Sequence, residues 1–359
     1  MNFLQIVPRL PPTVDGVGDY ALNLACQLHK YFSINTHFLV CDPGWDGETE
    51  IEGFSVSRLK GRTTKILIEQ VPRETTSILL HYVGYGYAKR GYPLWLIEGL
   101  QGWKCDRPQL HLVTMFHEVR SSSRKLWTSS FWLTPLKKRL VIRLLKISDR
   151  CLTSKQLYAQ SIKELSQGKH TNIPALPVFS NLGEPQNVPP LSLRQNRLVV
   201  FGRMNSRKRV YFQSLEQLHY TCQILNIEEL WDVGDASGYV IPELDLGQVN
   251  IIKKGKQSAQ EISTILLNSK VGFLDYNPNF LGKSGIFAAY TAHGMLPVNS
   301  HEGEGMIDGL ECGKHYWVPE PKYQHSINQP QAIADAAHQW YRTHDLTTHA
   351  QCFARELGL

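Results

Sequence analysis

The sequence predicts an α/β protein made of two doubly wound, Rossmann-like domains facing a central cleft. Short apolar segments alternate with helical patterns in both halves of the chain, which is how parallel sheets with crossover helices read in sequence. The alternation stops once, between Pro174 and Pro190, where five prolines and the polar run Asn181 to Asn187 interrupt it. At 359 residues the chain is also longer than a single hydrophobic core usually supports. These observations give a first domain over 1–184, a linker over 185–196 and a second domain over 197–329. Helices fill 330–359 and are expected either to close the second domain or to cross back to the first.

In the first half the strands are Phe3 to Val7, His37 to Cys41, Ser77 to Val83, Leu110 to Phe116 and Arg150 to Thr153. Tyr20 to Tyr31 has helical spacing, with Leu22, Ala25, Cys26 and Leu28 close to one face. The second half reads as strand Leu198 to Phe201, helix Arg207 to Leu225, strands Glu229 to Val233 and Val249 to Ile252, helix Ser258 to Asn268, strand Val271 to Tyr276, helix Ile286 to His293 and strand Met295 to Asn299. Pro330 to Leu357 reads as helix throughout.

Composition excludes several classes. Hydrophobic residues make up 42% and charged residues 19%, so the chain can fill a core and is not disordered. Seven scattered cysteines without a C-x-x-C pair argue against a disulfide framework and a structural zinc site. No two aspartates lie two residues apart, so no D-x-D metal site is implied. No apolar run reaches the roughly 18 residues of a membrane span, and Met1 to Val7 lacks the features of a signal peptide. A cytoplasmic protein is expected. The net charge of +6 comes from one segment: Arg120 to Arg150 holds nine basic residues against Asp149 alone. The rest of the chain is nearly balanced, so no nucleic-acid partner is expected. Within the basic segment, Leu136, Leu140, Val141, Leu144 and Leu145 form an apolar stripe flanked by Lys137, Lys138, Arg139, Arg143 and Lys146. Such a helix either packs on the core with a solvated basic face or lies peripherally on an anionic membrane.

Three strand ends carry chemistry. Gly16 and Gly18 follow the first strand, just before a helix, where backbone amides can face an anion. They lack the third glycine of the dinucleotide pattern. Strand Leu198 to Phe201 runs into Gly202-Arg203 and then Lys208, gathering cations at a strand end before a helix, where a diphosphate would be held. After strand Val271 to Tyr276 comes Gly282-Lys283-Ser284-Gly285. The Walker pattern would need glycine at 277, which is Asn277, so what remains is a glycine-flanked lysine and serine at a helix start, suited to a phosphate or a sugar hydroxyl. His117 and Glu118 close the strand that ends at Phe116, putting an imidazole and a carboxylate at the sheet's carboxyl edge.

Taken in order, these segments resemble the GT-B glycosyltransferases, specifically the large retaining group 1, or family 4-like, enzymes that use nucleotide sugars. The resemblance covers most of the chain. It rests on the glycine loop ending in Gly16-Val17-Gly18-Asp19-Tyr20, on His117, on Ser154, on Val178 to Gly183 and on Gly202-Arg203 followed by Lys208. Val233-Gly234-Asp235, Gly294-Met295-Leu296-Pro297-Val298, and Gly309 with Gly313 extend it. The resemblance implies a metal-independent hexosyltransferase without a cofactor, moving a sugar from a nucleoside diphosphate sugar to a hydroxyl of a glycan or lipid-linked acceptor. It implies that Arg203 and Lys208 hold the donor diphosphate, that His117 lines the catalytic cleft, and that Asp19 and Glu118 lie on the acceptor side. The family's two glutamates, eight residues apart, fall here on Leu281 and Ala289. That departure admits an inactive relative that binds a glycan or nucleotide, and the Lys283 loop admits an ATP-dependent phosphotransferase.

Overall fold

A computed structural model describes residues 3–119, 134–235, 246–320, 327 and 329–358. The chain divides into two compact units, Met1–Leu176 with Leu346–Leu359, and Pro177–Asp345.

In the first unit seven strands form one sheet: β1 (Phe3–Val7), β2 (Thr36–Val40), β3 (Glu50–Ile51), β4 (Phe54–Arg58), β5 (Ser77–Tyr82), β6 (His111–Phe116) and β7 (Arg150–Thr153). Their order is β3-β4-β2-β1-β5-β6-β7. All neighbours are parallel except β3 and β4. This hairpin was not expected from sequence. It turns on Glu52 and Gly53, both at positive φ, which is what a two-residue turn matched to strand twist requires. Every residue of β1 and β5 is buried, as helices on both faces of a parallel sheet demand.

The helix Gly16–Phe32 buries Tyr20, Ala21, Leu24, Ala25 and Leu28. Its buried stripe is therefore centred beside the expected one, and Leu22 and Cys26 pack only in part.

The second unit holds β8 (Gln195–Phe201), β9 (Glu229–Val233), β10 (Asn250–Gly255), β11 (Ser269–Leu274) and β12 (Leu296–Asn299) in the order β10-β9-β8-β11-β12, all parallel. The core joins Leu198, Val200, Val210, Leu230, Phe273 and Val298. The single helix expected over Arg207 to Leu225 is two, Met204–Gln213 and Leu215–Ile224. The break falls at Ser214, whose hydroxyl donates to the buried carboxylate of Asp275 instead of continuing the helix face. The tail likewise divides into Pro330–Arg342 and Leu346–Glu356, and only the latter belongs to the first unit.

Residues 185–196, expected as a linker, are pinned within the second unit. Arg194 is 6% exposed and donates to the Pro189 and Ser269 carbonyls at 3.0 and 3.2 Å.

Tyr290 crosses the centre of this sheet. Its hydroxyl lies 3.0 Å from the Val199 carbonyl and 3.1 Å from the Phe201 amide, while its ring covers Gly272. A Cβ at Gly272 would meet the ring at 2.4 Å. Gly272→Ala should therefore destabilise the protein by about 1–3 kcal/mol through overpacking. Chemical denaturation of the variant checks this, and unchanged stability would show that the ring can move aside.

Candidate functional site

In the second unit the loops leaving β8, β9 and β11 meet at the carboxyl edge of the sheet. Gly202, φ +130, and Gly234, φ +149, occupy backbone conformations that disfavour a side chain. There is also no room for one. A Cβ at Gly234 would lie 2.3 Å from the Gly202 oxygen, and one at Gly202 would lie 2.5 Å from Ile286 Cδ1, in the helix after Ser284. The glycines thus set the Gly202-Arg203 loop against the start of the helix Gly285–Ala292.

Arg207 locks this arrangement. It is fully buried; its Nε donates to the Gly202 carbonyl at 3.0 Å, one terminal nitrogen pairs with Asp232, and the other donates to the Asp235 carbonyl. Tyr211 donates to the second Asp232 oxygen at 2.8 Å. Burial pushes the Asp232 carboxyl up, against the opposing pull of the Tyr211 hydroxyl and the Arg207 guanidinium. In the run Arg203 to Arg209 the second cation, Arg207, is therefore structural, whereas Arg203 is exposed and Lys208 half-buried.

The Lys283 loop is a 3-10 turn, Pro278–Lys283, braced by the Val178 amide donating to the Gly282 carbonyl at 2.8 Å. Ser284 is the N-cap of the helix Gly285–Ala292, its hydroxyl accepting from the Phe287 amide at 3.2 Å. Lys283 is half-buried, Gly285 exposed. Leu281 and Ala289 are 1% and 0% exposed, members of the core.

Next to this turn is a cluster that sequence reading missed. Arg209 donates to the Asp275 carbonyl at 3.1 Å and pairs with its carboxylate at 3.3 Å; His301 lies 3.4 Å from the same oxygen. The Asn299 amide holds the Tyr276 backbone and the His301 carbonyl. Arg209, Asp275, Tyr276 and His301, with Phe280, Glu302 and Glu304, line a pocket of about 730 Å³. Nothing in the linear spacing of residues 209, 275 and 301 marks them. Only the adjacency of β11 and β12 joins the last two.

In the first unit, Asp15 is the N-cap of the helix Gly16–Phe32, its carboxylate accepting from the Val17 and Gly18 amides at 2.9 and 3.2 Å. An anion at this terminus would meet a carboxylate already seated there. Asp19 lies in the first turn. His117 follows β6 and is 8% exposed; its amide donates to the Tyr82 carbonyl at 3.0 Å, and Glu118 beside it is half-buried. The His117 Nε2 lies 3.1 Å from His81 Nδ1, and His81 Nε2 lies 2.9 Å from Gln5 Oε1. Tyr20 stands edge-on to both imidazoles, with its hydroxyl 2.8 Å from His349 Nδ1.

The helix Thr134–Ile147 packs Leu140, Val141, Leu144 and Leu145 into the first unit, leaving Leu136 at 37% exposure. The apolar stripe is thus occupied by core packing. Lys137 donates to the Tyr85 hydroxyl at 2.9 Å and Arg143 to Gln101, while Lys138, Arg139 and Lys146 are exposed. Arg120, Arg124 and Lys125 lie outside the described residues. No described helix is long and apolar enough to cross a membrane.

No protein-family model and no curated protein matches the sequence. Solved structures do match the fold. A glycosyltransferase of lipopolysaccharide biosynthesis, WaaG, aligns over 99% of both chains with TM-score 0.59 and 12% identity. A glycosyltransferase from Rickettsia africae aligns over 99% of this chain and 97% of its own, with TM-score 0.61 and 12% identity. An α-glucosyltransferase in complex with UDP-glucose and DNA aligns over 99% and 98%, with TM-score 0.55 and 11% identity. The chain has the fold of the GT-B glycosyltransferases, with two parallel Rossmann-like sheets of seven and five strands.

Burial pushes the His81 imidazole from its usual 6.5 down to about 3. The native protein therefore binds fewer protons here than the unfolded chain between those values, and stability falls as pH drops through that window. By pH 4 this group alone should have cost on the order of 3 kcal/mol. Urea midpoints measured from pH 7 to pH 4 check the sign. A midpoint that holds or rises as acid is added would contradict it.

Proposed function

We propose that the protein transfers a hexosyl group from a nucleoside diphosphate sugar to a hydroxyl of a glycan or lipid-linked acceptor. Donor would bind to the second unit and acceptor to the first, near His117, Asp19 and Glu118. The observation that carries the reading is the packing of Gly202 against Ile286, which sets the Gly202-Arg203 loop, with Lys208 in the helix it opens, beside the Gly282-Lys283 turn at the ends of the adjacent strands β8 and β11. As the glycosidic bond breaks, negative charge builds on the departing diphosphate. Arg203, Lys208 and Lys283, with the amides opening the helix at Gly285, would stabilise it without reorganising. Support comes from the α-glucosyltransferase of the same fold, which holds UDP-glucose.

Calorimetry with UDP, GDP, ADP and ATP, followed by sugar-transfer assays, tests this reading. We expect at least one nucleoside diphosphate to bind, and Arg203→Ala, Lys208→Ala and Lys283→Ala each to weaken binding roughly tenfold and turnover roughly a hundredfold. Added salt should weaken wild-type binding more than that of any variant. Binding of ATP in preference to every diphosphate would favour the phosphotransferase. Tight diphosphate binding without transfer from any sugar donor would leave an inactive relative. If no nucleotide binds, or if all three variants match wild type, the donor site is wrongly placed.

The exposed Lys138, Arg139 and Lys146 give the first unit a basic surface suited to an anionic membrane, where each cation contributes on the order of 1 kcal/mol. Sedimentation with phosphatidylserine vesicles should show binding that is lost when all three become glutamine. Equal sedimentation of wild type and variant would remove the membrane from this proposal.

A further inference from the structure

Three neighbouring strands of the first sheet, β1, β5 and β6, bring one polar side chain each into the same buried row: Gln5 from the middle of β1, His81 near the end of β5 and His117 just past β6. Gln5 and His81 are fully buried, and His117 is 8% exposed. The imidazoles lie within 22° of parallel, with Nε2 of His117 facing Nδ1 of His81 at 3.1 Å and Nε2 of His81 facing Gln5 Oε1 at 2.9 Å. Such a row has a direction. An amide oxygen only accepts, so His81 donates through Nε2. A neutral imidazole carries one proton, so its Nδ1 then holds a lone pair and His117 must donate to it. Burial keeps the His81 ring neutral, its pKa down to about 3.

We propose that His81, fixed in turn by Gln5, is a positioning residue that holds His117 in its Nε2–H tautomer, with the acceptor lone pair on Nδ1. The inference deepens the glycosyl-transfer reading and rests on it for its functional consequence: the tautomer decides whether Nδ1 offers a lone pair or an N–H to the group it meets, and hence whether a sugar hydroxyl reaching it must donate or accept. His81 is thus a specificity determinant that touches no substrate. Its own backbone carbonyl accepts from the Tyr87 hydroxyl at 2.8 Å, which pins the strand segment that carries the ring.

The groups packed around the pair leave this direction in place. Tyr20, from the helix Gly16–Phe32, is edge-on to both rings, and its hydroxyl faces His349 of the helix Leu346–Glu356. Burial raises the pKa of that hydroxyl, keeping it neutral. Cys352, whose thiol burial also raises, acts on Tyr20, while in sequence Tyr82 follows His81 and Glu118 follows His117. Rotation of the Gln5 amide would reverse every donor in the row and move the His117 proton to Nδ1. Gln5 Nε2 is buried without a hydrogen-bond partner, and the two amide orientations differ in the nitrogen that carries the His117 proton.

Imidazole nitrogen shifts of 15N-labelled full-length protein report the tautomer of each ring, with His117 assigned through His117→Gln. The expected wild-type result is a proton on Nε2 and a lone pair on Nδ1. His81→Phe removes the acceptor, so both His117 nitrogens should move toward the averaged shifts of a ring exchanging tautomers. His81→Asn, whose Oδ1 stands where Nδ1 stood, should restore them. With a donor and acceptor in hand, His81→Phe should lower kcat about tenfold at a donor KM changed less than twofold, and His81→Asn should recover most of it. A His117 proton on Nδ1 in the wild type overturns the proposal. So does a folded His81→Phe with unmoved His117 shifts or unchanged kcat. If His81→Phe does not fold, the wild-type and His81→Asn spectra still decide the tautomer. Should no sugar be transferred under any condition, the glycosyl-transfer reading fails while the nitrogen shifts still judge the relay.

Discussion

A single buried guanidinium organises the second unit's working edge. Arg207 joins the ends of β8 and β9 by donating to the Gly202 and Asp235 carbonyls while pairing with Asp232. Backbone carbonyls at strand ends lose their sheet partners, and in a buried loop they must find others. One rigid fork of donors satisfies two of them and neutralises a carboxylate, which no lysine could do with the same geometry. Loops tied in this way cannot drift apart. Gly202 and Gly234 can then touch, and the helix at Gly285 can abut the Gly202 loop. On the reading proposed above, the preorganisation that a charge-stabilising site needs would originate in a buried residue that is not itself one of the proposed donor-site cations.

The first unit solves a similar problem with neutral groups. Gln5, His81, His117, Tyr20 and His349 form a polar seam through an otherwise apolar core. Such a seam is costly when incomplete and rigid when satisfied. Its members come from three strands and two helices, the second being the chain's last, Leu346–Glu356. Hydrogen bonds that anchor that helix include Tyr20 to His349, Gln27 to Thr347 at 2.9 Å and His111 to the Glu356 carbonyl at 2.9 Å. The end of the chain is therefore part of the histidine site's scaffold.

Most of the sheet was legible because buried parallel strands are continuous apolar runs, and β1, β5, β6, β8 and β11 all read that way. The hairpin β3–β4 was not, since Glu50–Ile51 is too short and polar to register as a strand. Ser214 shows why the helix over 207–225 was read as one: nothing local forbids a helical serine, and the pull comes from Asp275, sixty-one residues on. Among the consecutive cations Arg207, Lys208 and Arg209, charge alone gave no ground for choosing, and only the resemblance singled out Lys208. The structure separates them by burial, giving Arg207 to Asp232 and Arg209 to Asp275. His81 escaped notice for the converse reason. Within Ser77 to Val83 it is one polar residue in an apolar strand, and only the adjacency of β5 to β6 pairs it with His117.

The absent glutamates take on a physical meaning once burial is known. Leu281 and Ala289 are core residues here, and a carboxylate at either place would need a buried partner to offset its desolvation. Apolar residues at both positions are therefore consistent with each other. The loop between them presents Lys283 instead, so its charge has changed from the family's negative to positive. On the reading proposed above, carboxylates able to accept from sugar hydroxyls must then come from elsewhere. Glu302 and Glu304, on the loop after β12, line the pocket together with Arg209 and Tyr276. A donor diphosphate drawn toward Lys283 would have those acids one strand further along the same edge. Phosphate and sugar would be read by different loops, and the sugar's carboxylates would sit on the side of β11 opposite β8, where the Gly202-Arg203 loop begins.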